Sequence, residues 1–388
     1  MSLVRIQVVP LQTSGLLAVR LFRFHPLSRM TSTELDPRLL HVLDWIDRTR
    51  PRRLAVVMDP NTERHCLPLI SPLLPPHTDF LCLSQDGEPV KSIEHAHAIW
   101  NSLEEAGYDR DSALIGLGGG TVTDLTGFVA STYLRGLDFW LVPTTLLAMV
   151  DAASGGKTGI NLKGAKNRIG TFARPSGVSL CPQFLCTLPP RQLKSGLAEH
   201  VKHLLIAHSP EDASHRVSQL NVDQNPADSD AFAPLIMESI EIKENIVCQD
   251  PTEITGTRQL LNFGHTMGHA LESWAMAQGL NLLHGEAVAW GLCAELTLSA
   301  ARFKEGSPEA MNLLALRDEL NQKFPCPVTP PEPSELWTWA LKDKKNAGDA
   351  VHMVLLSENG APLVDQSVTW DEFATACLAN TPSSSNSA

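Results

Sequence analysis

Hydrophobic residues follow two rhythms along the chain. Between residues 54 and 187, short unbroken apolar runs alternate with amphipathic stretches: LAVVM from Leu54, DFLCLS from Asp79, a helical pattern over residues 93–107, then SALIGL from Ser112. Unbroken apolar runs of this length read as strands buried on both faces, and their alternation with helices predicts a parallel sheet in an α/β arrangement. Upstream, residues 35–50 place Leu39, Leu40, Leu43 and Ile46 at helical spacing, and residues 4–24 read as one or two strands broken at Thr13, Ser14 and Gly15. After Leu188, Pro189 and Pro190 mark a boundary and helical periodicity takes over. RQLKSGLAEHVKHLLIAH, LIMESIEIKENIVCQD and two patterns over residues 287–303 and 309–324 are amphipathic helices. Residues 325–333 are proline-rich and extended, VHMVLLS from Val351 is a short strand, and TPSSSNSA closes the chain as a low-complexity stretch. The expected organisation is an α/β domain over residues 1–187, a mainly helical domain over 188–380, and a disordered tail over 381–388.

The strand SALIGL runs directly into Gly118, Gly119 and Gly120, and a helix follows. Glycines at a strand-to-helix switch let backbone N–H groups crowd round a phosphate, with the helix N-terminus adding partial positive charge. A tight turn alone would explain one glycine but not three. Thr121 stands where the last glycine of GxGxxG would fall, so the regular dinucleotide fingerprint is not met. Asp59 follows the strand at residues 54–58, where an acidic residue either takes ribose hydroxyls or simply forms a turn. Further on, Asp151, Lys157, Asn161, Lys166, Asn167 and Arg168 crowd a glycine-rich segment expected to be a surface loop that holds ligand groups. Its GGKT lacks the GxxxxGK[ST] frame, which excludes a P-loop NTPase.

Residues 261–291 carry the densest chemistry. His265 and His269 lie one helical turn apart on a shared face, and His284 opens a second helix beyond a short loop. Each alone would pass for a core or capping histidine, but together they point to a metal or anion site, since imidazole is a common zinc ligand. A further ligand must come from elsewhere. Glu199 and Lys202 share a helical face, and the plain reading of that pair is a solvated ion pair.

The length of 388 residues suits two domains, and 43% hydrophobic residues can fill two cores. A net charge of -12 argues against a nucleic-acid footprint or an anionic membrane surface, so an anionic small ligand needs a local basic pocket. Eight cysteines without a CxxC pair read as reduced thiols of a cytoplasmic protein. The N-terminus has no signal-peptide pattern, and no apolar run reaches membrane-spanning length.

Taken as a set, GGGTVTDLTGFVAS, VPTTLLAMVD, AASGGKTGIN, KNRIG, LPPRQLKSGLAEHVKH, LNFGHTMGHALE, HGEAVAWG and DKKNAG resemble the 3-dehydroquinate synthase family in order and spacing. The resemblance runs from about Asp59 to Asn346. It implies an α/β plus all-α protein, with an N-terminal Rossmann-like nucleotide-binding domain over 1–187, a mainly helical C-terminal metal- and substrate-binding domain over 188–380, and an active site in the cleft between them. It implies a catalytic zinc, with cobalt as the other candidate, on Glu199, His265 and His284. It moves His269 to the substrate's side. NAD would meet Asp59, Glu88, Lys91, Gly119, Gly120, Asp124, Thr144, Thr145, Lys157, Lys166, Phe184 and Thr187. The substrate, a sugar phosphate carrying a carboxylate, would meet the cations Arg135, Lys157, Lys202, Lys243, Arg258 and Lys344, with Asp151, Asn167, Asn262 and His269 as polar contacts. The implied reaction converts 3-deoxy-D-arabino-heptulosonate 7-phosphate to 3-dehydroquinate and phosphate, by oxidation at C5, phosphate loss, reduction back, ring opening and aldol closure, with NAD returned unchanged. A homodimer is also implied. The alternatives are a sister cyclase acting on sedoheptulose 7-phosphate or glucose 6-phosphate, an NAD- and metal-dependent alcohol dehydrogenase, and a non-catalytic zinc-binding protein.

Overall fold

The computed structural model describes residues 3–5, 32–163, 165–342 and 350–380. They form two compact units: those up to Leu188 with Ala227–Met237, and Pro189–Pro226 with those from Glu238 onward. Most of the strand region expected at residues 4–24, the tail 381–388, and Lys344 lie outside the described residues.

The first unit contains, in chain order, β1 (Leu3–Arg5), β2 (Ser32–Leu35), α1 (Leu40–Thr49), β3 (Leu54–Met58), two short helices α2 (Pro60–His65) and α3 (Leu67–Ile70), β4 (Asp79–Cys82), α4 (Ile93–Glu105), β5 (Ala113–Gly118), α5 (Gly120–Thr132), β6 (Asp138–Pro143), β7 (Lys157–Leu162), β8 (Ala165–Phe172) and β9 (Gly177–Leu180). Seven strands form one parallel sheet in the order β1-β4-β3-β5-β6-β9-β2. Every residue of β3 and β5 is buried, as their unbroken apolar sequences require. The chain steps outward from β3 to β4, then returns across β3 to β5. The winding therefore reverses between β3 and β5, the place where open α/β sheets bind ligands at their carboxyl ends. Asp59 follows β3 there and Gly118 ends β5, with Met58 opposite Leu117 in register.

Two expectations need correcting. In α1, Leu39 and Ile46 are buried but Leu40 is 57% exposed, and Val42 and Trp45 fill the core instead. Leu39 takes a left-handed backbone (φ 56) at the helix start, which leaves Leu40 outside the buried face. Trp45 stacks on Trp140 at 5.4 Å and its Nε1 donates to Asp138 at 3.2 Å. The second correction concerns the glycine-rich segment expected to be a loop, where β7 and β8 pair as an antiparallel hairpin. Its glycines provide packing clearance. A Cβ on Gly159 would press to 3.3 Å of the Gly170 Cα, and one on Gly127 of α5 would overlap the Thr158 methyl. Thr158 and Ile160 are buried accordingly.

The second unit contains α6 (Pro190–Ala207), α7 (Pro210–Gln219), most of α8 (Ala233–Gln249), α9 (His265–Ala277), α10 (His284–Ala301), α11 (Pro308–Lys323), α12 (Pro333–Ala340), β10 (Val351–Leu356), β11 (Pro362–Val368) and α13 (Trp370–Ala379). Among these helices lies an antiparallel pair, β10 and β11, the first being the strand expected from Val351. Neither β11 nor α13 was anticipated, although Thr369 and Glu372 form a capping box that opens α13. The core gathers Met267, Leu271, Trp290, Leu298, Leu336, Val351, Met353 and Phe373 from α9, α10, α12, β10 and α13. All eight cysteines are free, and among the described residues no helix is long and apolar enough to cross a membrane.

Candidate active site

Three helices of the second unit approach closely enough to bring distant side chains together, and glycines permit it. A Cβ on Gly285, next to His284, would lie 2.7 Å from the Ser195 Cα on α6. Ser195 Oγ accepts from Gly285 N at 3.0 Å and locks that crossing, one helical turn before Glu199. On the other side, a Cβ on Gly268 of α9 would lie 2.9 Å from the Ala287 carbonyl oxygen on α10. These crossings carry Glu199, His265 and His284 to one point.

Glu199 is fully buried, which overturns the solvated reading of its pair with Lys202, itself 1% exposed. Its Oε1 lies 3.1 Å from His284 Nε2 and 3.5 Å from His265 Nε2, while Oε2 takes the Lys202 ammonium at 2.5 Å. His265 Nδ1 donates to the Phe263 carbonyl at 3.1 Å, and His284 Nδ1 donates to Glu272 Oε2 at 3.4 Å. With Nδ1 engaged in both rings, Nε2 is the metal-facing nitrogen, the tautomer a ligating histidine needs. Burial opposes charge on His284, but Glu272 and Glu199 outweigh it and push its pKa up to about 10. Burial pushes His265 well below its usual value. The carboxylates thus favour a positive charge between the rings, which a divalent cation would satisfy with one oxygen and two nitrogen donors. The site residues therefore fit zinc. His269 is also close: its ring lies 5.1 Å from that of His265 and 5.7 Å from that of His284. Ligand atoms of the three histidines fall within 4.8 Å of one another.

Two carboxylates that sequence reasoning missed support this group. Glu272 orients His284. Glu295, three turns after His284 on α10, is fully buried and its Oε2 accepts from Gly264 N at 2.6 Å. Gly264 starts α9 with no side-chain cap of its own, so Glu295 ties the helix bearing His265 to the helix bearing His284. The spacing from His284 to Glu295 puts both on one helical face, a signal open to sequence inspection.

Other cations and polar groups of this unit are also placed. Lys243 on α8 and Arg258 are buried, and Asn262 ends a short 3-10 turn, Thr257–Asn262, just before α9.

In the first unit, none of Gly118, Gly119 and Gly120 has positive φ. They are there for close approach: a Cβ on Gly118 would lie 2.6 Å from a Val122 methyl, and on Gly119 3.1 Å from Thr145. Helix α5 begins at Gly120, and Gly119 before it offers no side-chain cap, leaving the helix N-terminus suited to an anion. Thr144 N donates to the Gly118 carbonyl at 2.9 Å, bringing Thr144 and Thr145 to the same turn. Asp59 is buried and caps α2, its Oδ1 accepting from Thr62 N at 2.8 Å. Phe184 and Thr187 sit on a 3-10 turn, Pro182–Thr187, with Phe184 buried.

A polar network holds the hairpin. Lys91, 4% exposed, donates through Nζ to Asp124 Oδ2 at 2.6 Å and Asn167 Oδ1 at 2.5 Å. Glu88 accepts from Asn161 Nδ2 at 2.7 Å and lies 3.8 Å from Lys166 Nζ. Asn167, at left-handed φ 52, donates through its backbone N–H to Asn161 Oδ1 at 2.9 Å. Lys157 and Arg135 are exposed, and Asp151 is half-buried on a π-helical turn, Ala148–Ala152. Lys91→Met should cost about 1–3 kcal/mol, the range for losing hydrogen bonds made by a buried charged group, and speed amide exchange across residues 157–172. Unchanged exchange would show that other contacts hold the hairpin.

Comparison with known proteins gives a consistent answer. Models of the 3-dehydroquinate synthase N-terminal and C-terminal regions match residues 81–195 and 196–346. A 3-dehydroquinate synthase of Parabacteroides distasonis is 36% identical over 330 residues, 85% of this chain and 92% of the relative. One from Latilactobacillus sakei is 43% identical over 282 residues, 72% of this chain and 75% of the relative. Among solved structures, 2-epi-5-epi-valiolone synthase from Streptomyces hygroscopicus, with NAD+ and Zn2+ bound, superposes at TM-score 0.76 with 27% identity, covering 92% of this chain and 99% of that one. An NADH-dependent butanol dehydrogenase of Thermotoga maritima shares the fold at TM-score 0.64 with 16% identity, covering 93% of this chain and 98% of that one. Since the match to 3-dehydroquinate synthases spans both regions and nearly the whole of a relative, the chain belongs to the 3-dehydroquinate synthase family.

Proposed function

We propose that the chain converts 3-deoxy-D-arabino-heptulosonate 7-phosphate to 3-dehydroquinate and phosphate. Family membership supports this, and the observation in the chain itself that carries it is the buried carboxylate of Glu199 lying between His265 and His284. These three would hold a divalent metal, zinc by analogy with the valiolone synthase and by donor type, with cobalt compatible with the same donors. When bound, the metal supplies a Lewis acid and NAD a reversible hydride acceptor.

The remaining chemistry falls to the chain. The reversal point between β3 and β5 would take NAD, with Asp59 beside it and the uncapped start of α5 favouring the pyrophosphate charge. Glu88, Lys91, Asp124, Thr144, Thr145, Lys157, Lys166, Phe184 and Thr187 complete the proposed cofactor contacts. Arg135, Lys157, Lys202, Lys243, Arg258 and Lys344 would neutralise and orient a substrate that carries both phosphate and carboxylate. Lys202 has a second task, because its ammonium holds Oε2 of Glu199 and leaves Oε1 directed to the histidines. Asp151, Asn167, Asn262 and His269 would supply hydrogen bonds on the substrate's side.

The test is incubation of purified protein with the heptulosonate phosphate, NAD and zinc, followed by phosphate assay, absorbance of NADH and NMR of the product. Phosphate and 3-dehydroquinate should accumulate with no net NADH. Accumulating NADH would mark a dehydrogenase, and turnover of sedoheptulose 7-phosphate in its place would mark a sister cyclase.

A further inference from the structure

The loop after α8 is organised by one side chain that the proposed reaction does not use. Asp250 is 2% exposed, and its carboxylate accepts four backbone N–H groups. Oδ1 takes Ile254 at 2.7 Å and Thr255 at 3.1 Å, and Oδ2 takes Gly256 at 3.0 Å and Arg258 at 3.2 Å. To bring these amides round, Glu253 and Gly256 adopt left-handed backbone, at φ 58 and φ 91. The side chain of Arg258 is held by the same segment, Nη1 donating to the Pro251 carbonyl at 2.7 Å. Arg258 is itself 2% exposed. The Asp250 charge thus rests on backbone amides, and the guanidinium is held at Nη1 by a backbone carbonyl of the same segment. Burial raises the carboxyl pKa of Asp250, but the amide hydrogen bonds outweigh it and bring the value down to about 2, so the group stays ionised at working pH.

We propose that Asp250 is a positioning residue for Arg258, fixing the backbone from which the guanidinium meets the anionic groups of the substrate. The inference rests on the proposed reaction and on Arg258 acting in it. An arginine that binds a substrate anion works best when its backbone and side chain are held before the substrate arrives. In this assignment Asp250 acts through the loop, since its carboxylate is taken up by the amides of Ile254, Thr255, Gly256 and Arg258.

The decisive variant is Asp250→Asn. One amide oxygen can still accept from one pair of these amides, but the amide NH2 then faces the other pair, so in either orientation the loop that carries Arg258 loses two of its four anchors. KM for the heptulosonate phosphate should rise about tenfold with kcat changed little, the pattern of lost uniform binding. Zinc content and NAD affinity should stay at wild-type levels. In the double variant D250N/R258K, kcat/KM should be no lower than in R258K alone, because both changes act on one group. An unchanged KM in Asp250→Asn, even with reduced melting temperature, or additive losses in the double variant, would overturn the assignment. If Asp250→Asn fails to fold, Asp250→Ser, which keeps one acceptor oxygen, is read by the same criteria. Wild-type protein that releases no phosphate from the substrate would instead overturn the proposed reaction.

Discussion

Replacing His265 by alanine should remove bound zinc and turnover together. His265 is 8% exposed, and its Nδ1 bond to Phe263 turns Nε2 toward Glu199. Removing it leaves Glu199 and His284 as the proposed ligands, and two donors hold zinc far more weakly than three. Outer partners of metal ligands alone carry about 10–100-fold in affinity or activity, so loss of a ligand should exceed a hundredfold. Metal analysis of the dialysed variant beside its phosphate-release rate checks this. A variant that retains a full equivalent of zinc would sink the ligand set and promote His269, whose ring lies within reach of the same point.

The second large effect is expected at a residue that itself offers no ligand atom. In Gly291→Ala the new methyl would overlap the Gly264 carbonyl oxygen and lie 2.7 Å from Gly268 N. Both clashing atoms are backbone, so no rotamer change relieves them, and α9 and α10 must move apart. The cost should reach or pass the upper end of overpacking effects, about 3 kcal/mol. The crossing also sets the distance between His265 and His284, so zinc affinity should fall along with the melting temperature. Thermal denaturation and metal titration of the variant measure the two effects. Wild-type values of both would show that the helices tolerate separation without loss of the site.

Some parts of the fold were plain in the sequence because one local rule decides them. Strands β3 and β5 are buried on both faces and so are unbroken apolar runs. The hairpin of β7 and β8 was misread as a loop because glycine has two uses. Turn formation and close packing look alike in a sequence, and Gly159, Gly170 and Gly127 are of the second kind. At Gly118–Gly120 none of the three needs a left-handed backbone, so these glycines too serve close approach rather than a turn.

The sequence by itself determined the two classes of layer, the helical face shared by His265 and His269, and the strand–glycine–helix turn, because periodicity and backbone geometry are local. Family resemblance then named Glu199 as a ligand, but spacing to Lys202 left it indistinguishable from a surface ion pair. Only the tertiary structure decided that this pair is buried and that Glu199 lies between two imidazoles. It also decided that Glu272, Glu295 and Asp250 hold the surrounding groups in place. A carboxylate's role depends on what surrounds it, and those neighbours are separated in the chain and meet only where helices cross at glycine.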